Sequence, residues 1–126
     1  MATAKEMMGG GFSAGSARAI NGQVNSAVSA AGSALSDSTE LKSGHSVVTT
    51  ISAGQGVRPE NSEIGDEYYV YNATSGTSGV VLTVYPPTSS GTINQLAAGT
   101  GMLLAPSTAV WLKKATATAW TGNLSA

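Results

Sequence analysis

Glu67-Tyr68-Tyr69-Val70-Tyr71-Asn72, the linker Ala73-Thr74-Ser75-Gly76-Thr77-Ser78-Gly79, and Val80-Val81-Leu82-Thr83-Val84-Tyr85 before Pro86-Pro87 form the stretch whose reading decides the fold class. Two runs rich in β-branched and aromatic residues flank a cluster of Ser, Thr and Gly, the pattern of two strands and a turn. The cluster predicts a hairpin loop. Pro86-Pro87 ends the second run, because proline has no N–H to give a ladder. In that run Val80, Leu82 and Val84 alternate with Val81, Thr83 and Tyr85, and the first set is expected to face the interior. The first run is apolar on both faces, which suits a strand covered by a second sheet or by a neighbouring subunit.

Similar runs lie to either side. Ser46-Val47-Val48-Thr49-Thr50-Ile51 is broken by Gly54-Gln55-Gly56 and Arg58-Pro59. Thr92-Ile93-Asn94, Gly101 to Leu104, Ala109 to Lys113 and Ala119 to Leu124 follow. Val110 and Leu112 oppose Trp111 and Lys113 by alternation, and Trp111 and Trp120 are read as core packing. About six or seven short, closely spaced strands predict an all-β domain, a small antiparallel sandwich or barrel.

Composition changes near His45. Phe12 is the one aromatic before it, while Tyr68, Tyr69, Tyr71, Tyr85, Trp111 and Trp120 lie beyond. Ala, Gly and Ser dominate residues 1–44, and such side chains bury too little apolar area to offset backbone ordering. The expected organisation is an N-terminal arm, 1–44, and a β-domain, 45–126. Ala17, Ile20, Val24, Ala27 or Val28, Ala31 and Leu35 recur at the spacing of one helix face, while Gly22 and Gly32 weaken a helix. The arm is therefore expected to be flexible, partly helical or extended, and to order against a partner.

The chain has 126 residues, room for one core, and a formal net charge of -1. That balance provides no field for nucleic acid and no basic patch for anionic lipid, so neither is expected as a partner. Charged residues are only 10%, so solubility rests on hydroxyls and amides. With no cysteine, disulfides and thiolate chemistry are excluded. Apolar runs are too short to span a bilayer and no secretory signal is legible, so synthesis and folding in a cytoplasm are expected. His45 is the one histidine and reads as a solvated hinge; no nucleophile elbow accompanies it, and no phosphate loop is present. Glu60, Glu63, Asp66 and Glu67 could gather around a hard cation but match no known loop spacing. They read as a solvated acidic loop, or as a subunit contact through Arg58, Lys113 and Lys114. No cofactor and no catalytic set is expected.

Glu63-Ile64-Gly65-Asp66-Glu67-Tyr68-Tyr69-Val70-Tyr71-Asn72, Val81-Leu82-Thr83-Val84-Tyr85-Pro86-Pro87, Gly91-Thr92-Ile93-Asn94-Gln95-Leu96 and Ala119-Trp120 occur in that order. The series, over about residues 47–126, resembles a β-module recurrent in tailed-phage virion proteins, both capsid decoration (cement) proteins and fibre or spike proteins. The resemblance implies a structural role: a decoration protein on the capsid exterior, with the major capsid protein as partner. The absence of a shaft repeat favours decoration over a fibre, spike or tail appendage that binds host-surface glycan. Phe12, Ile20, Val24, Val28 and Leu35 are the candidate capsid-binding residues of the arm. Tyr68, Tyr69 and Tyr71 are the candidate oligomer interface, and capsid threefold points imply a homotrimer.

Overall fold

The computed structural model describes residues 24–74 and 79–125. Ten strands occur there: β1 Val24–Ser29, β2 Thr39–Leu41, β3 His45–Thr50, β4 Gly56–Pro59, β5 Glu67–Asn72, β6 Leu82–Val84, β7 Thr92–Ile93, β8 Met102–Leu104, β9 Ala109–Lys114 and β10 Ala119–Leu124. A single 3-10 turn, Leu35–Asp37, precedes β2. The protein is nearly all-β, as the strand-like runs require.

The strands form a six-stranded sheet, β1-β3-β5-β9-β10-β7, and a four-stranded sheet, β2-β4-β6-β8. From β1 to β6 the chain alternates between the sheets, each strand lying parallel to the one laid down a full winding earlier. Val24 pairs with His45 and His45 with Tyr69 in the larger sheet; Val57 pairs with Thr39 and Val84 with Val57 in the smaller. This is a solenoid-like winding. β8 and β9 then add to β6 and β5 in the antiparallel sense, and β10 and β7 extend the larger sheet.

The expected antiparallel sandwich or barrel is thus corrected to mixed sheets with parallel ladders. The Thr74 to Gly79 linker does not close a hairpin, because β5 and β6 belong to different sheets. The reason lies in which faces are apolar. Val70 on β5 and Leu82 and Val84 on β6 are fully buried and belong to one core cluster between the sheets. A chain that crosses the core and returns lands beside its own earlier strand, running the same way. A parallel pair requires such a crossover, and here the crossover itself contains a strand.

Val28, Ala30, Leu41, Val48, Val57, Met102, Leu104, Val110, Leu112, Ile93 and Trp120 complete the core. Val28, Ala30 and Leu41 fall within the expected arm. The boundary near Gly44 is therefore not a boundary of the fold, which begins by Val24; the expected helix face gives way there to β1. Alternation over so few residues was too weak to outweigh a three-to-four spacing, whereas pairing with β3 satisfies the backbone of β1. Within β1 the Ala27 N–H donates to Asn25 Oδ1 at 3.2 Å, where the register with β3 shifts. His45 opens β3 and is no hinge.

Asn72 joins the sheets. Fully buried at the end of β5, it donates through Nδ2 to the Val80 carbonyl at 2.9 Å and to the Leu104 carbonyl of β8 at 3.0 Å. Its Oδ1 accepts from the Thr74 N–H at 3.1 Å and the Thr74 hydroxyl at 2.6 Å.

Candidate interaction face

Period-two alternation turns one set of side chains in β5 and β9 inward and the other outward. Inward, Tyr68 is buried, with its ring 5.8 Å from Trp120 at 58°. Burial pushes the Tyr68 hydroxyl above the usual tyrosine value. Tyr68 is therefore a core residue and is corrected as an interface candidate. Tyr69 and Tyr71 are half-buried on the outer face of the larger sheet.

Outward, register brings residues distant in sequence into one row. Val24 lies beside His45, His45 beside Tyr69, Tyr69 beside Trp111 and Trp111 beside Asn123. The His45 and Tyr69 rings are 4.5 Å apart at 55°. Val24, at one end of the row, is 65% exposed and Trp111 51%, so two apolar side chains of the row are open to water. Trp111, expected in the core, stands on the surface, whereas Trp120 is buried. The opposition of Val110 and Leu112 to Trp111 and Lys113 carried that signal. One row along, Glu67 lies beside Lys113, with Oε1 and Nζ 3.7 Å apart. His45 was missed as a member of this face because its neighbours across the ladders are distant in sequence.

The outer face of the smaller sheet is built differently. A Cβ on Gly56 or Gly101 would come within 3.0 Å of the Tyr85 ring, so the ring lies directly over both glycines. The protein covers part of that face with its own side chain. Leu103, 68% exposed, stands beyond it.

The arm candidates divide. Val24 is exposed, Val28 is buried in the core and Leu35 is half-buried in the 3-10 turn, while Phe12 and Ile20 lie outside the described residues. Val28 is thus corrected to a core residue.

The acidic loop is organised by a lysine. Lys114, buried at the end of β9, donates from Nζ to Asn61 Oδ1 at 3.2 Å and to the Ser62 carbonyl. The carboxylates disperse: Glu60 pairs with Lys42 at 3.5 Å, Glu67 with Lys113, and Asp66 Oδ2 accepts from the Glu63 N–H at 3.1 Å. Arg58 turns to the carbonyls of Leu35 and Ser38. Among the described residues no group of three or more His, Asp and Glu is placed to hold a metal ion. No helix among them is long and apolar enough to cross a membrane.

Comparison with family models, curated proteins and solved structures finds no match to this chain.

Proposed function

We propose that this chain is a non-catalytic structural module of a tailed-phage particle, decorating and stabilising the capsid exterior by binding the major capsid protein. The observation that carries this reading is the outer face of the larger sheet, where Val24, His45, Tyr69 and Trp111 form one cross-strand row in which Val24 and Trp111 are exposed. Exposed Val24 and Trp111 on a chain with few charges make this face a surface for protein contact, since leaving them in water costs free energy that docking recovers. The ordered series from Glu63 to Trp120 supplies the particle context through its resemblance to virion modules. Residues before Val24, with Phe12 and Ile20, would reach across capsid subunits.

Imaging particles of the encoding virus tests the proposal: density for this fold on the outer shell surface is expected, and density confined to the tail or a fibre would overturn it. A second reading, a fibre or spike module binding host-surface glycan, is favoured by exposed Trp111 beside Asn123, because sugar recognition combines an aromatic platform with an amide. Binding on a glycan array that Trp111→Ser abolishes would select it.

A further inference from the structure

We infer that the outer face of the larger sheet pairs with the same face of a second copy, about a two-fold axis running along the seam between β5 and β9. The inference rests on reading this face as a protein-docking surface and names its partner. The capsid assignment fails or stands on particle imaging, separately from the solution test below.

The register of β5 and β9 places Tyr69 opposite Trp111 and Glu67 opposite Lys113. A two-fold rotation about an axis above the seam and parallel to the strands exchanges β5 with β9 while preserving position along them. Tyr69 then meets Trp111 of the second copy, and Glu67 meets Lys113 of the second copy. Each contact occurs twice, as an isologous interface requires.

Charge complementarity decides for a like copy. Glu67 is the only carboxylate and Lys113 the only lysine or arginine at outward positions of the described strands of this sheet, since Lys114 points to Asn61 and Ser62. The face is balanced in these charges, and rotation onto itself sets each against its opposite. Aromatic side chains then cover one another at the centre, where offset or tilted pairing is favourable.

The size of the face sets the strength. Six-residue strands at about 3.3 Å per residue and neighbours at about 4.8 Å give a face of roughly 500 Å². That is below the ~800 Å² per partner of a standard stable interface, so a reversible dimer is expected. The pairing is two-fold, and it replaces the trimer implied by capsid position.

Sedimentation of the full chain across a dilution series tests this, with tryptophan emission as a second readout. A monomer–dimer equilibrium is expected, and dilution should red-shift emission through Trp111, because Trp120 stays buried. Glu67→Lys alone sets two ammonium groups against each other at each cross-copy contact, and Lys113→Glu alone sets two carboxylates together; each should weaken pairing by at least about tenfold. Mixed in equal amounts, the two variants should form a heterodimer, because both cross-copy contacts become attractive although the pair within each chain stays like-charged. Trp111→Ser should abolish pairing at an unchanged melting temperature. The inference is overturned by a wild-type monomer at roughly 1 mM, by a trimer, or by a mixture no tighter than either variant alone.

Discussion

The wound half of the molecule, β1 to β6, and the closing half, β7 to β10, draw on the same residue types and solve strand pairing differently. In the closing half β9 and β10 are neighbours in sequence and in space, joined by a tight turn in which the Ala115 N–H donates to the Ala119 carbonyl at 2.9 Å. In the wound half each strand of a ladder pairs with a strand from the adjacent winding, with a strand of the other sheet lying between them in sequence. The first arrangement is specified locally. The second forms only when segments far apart in the chain come together, which raises the loop-closure cost before any contact is gained.

Truncation separates the halves most sharply. Removing residues 1–44 strips β1, β2 and the core side chains Val28, Ala30 and Leu41, and loss of cooperative unfolding by calorimetry is expected. Removing residues 1–23 leaves every core side chain of the described residues in place, and a melting temperature close to that of the full chain is expected. If the shorter truncation also unfolds the protein, the wound half depends on more than the windings described.

Within the closing half, Trp120 is the largest fully buried side chain, and Trp120→Ala should cost about 3–5 kcal/mol in denaturant unfolding. The joint between the halves comes next. Asn72→Ala leaves the Val80 and Leu104 carbonyls without their Nδ2 donor, an expected loss of about 2–3 kcal/mol. Hydrogen exchange should show the two halves opening separately in that variant; one uniform transition would mean that the core alone couples them.

The smallest effect lies at the entry to the wound half. Asp37 Oδ1 accepts from the Ala34 and Ser33 N–H groups at 2.9 and 3.1 Å, and the Ala34 bond first, then Ser33, holds its carboxyl below the usual carboxylate value. A depressed value means that the stabilisation is present above the unfolded carboxyl's pKa and is lost as pH falls through the lowered one. Asp37→Asn should therefore flatten the fall in melting temperature on acidification below about pH 4. An unchanged acid limb would show that the contact is not felt in stability.

Local pattern specifies most of the strands after Gly44 and the alternation of side chains along β6 and β9. Val80, Leu82 and Val84 were legible as the inward set, and Leu82 and Val84 are fully buried. Pro86-Pro87 was legible as the end of the second run, and β6 stops at Val84; Gly65 turns the chain before β5 with φ 96°. Those features follow from interactions within a few residues: period-two alternation, proline's missing donor and glycine's freedom at positive φ. Tertiary structure alone decided which strands pair. No local signal says that β5 crosses the core instead of turning back, that Val28 and Leu41 close the first winding, or that His45 lies against Tyr69 and Tyr69 against Trp111. Those contacts join residues whose separation varies from winding to winding, so they leave no period in the sequence. Burial across the core selects them, and it exists only once both sheets are present.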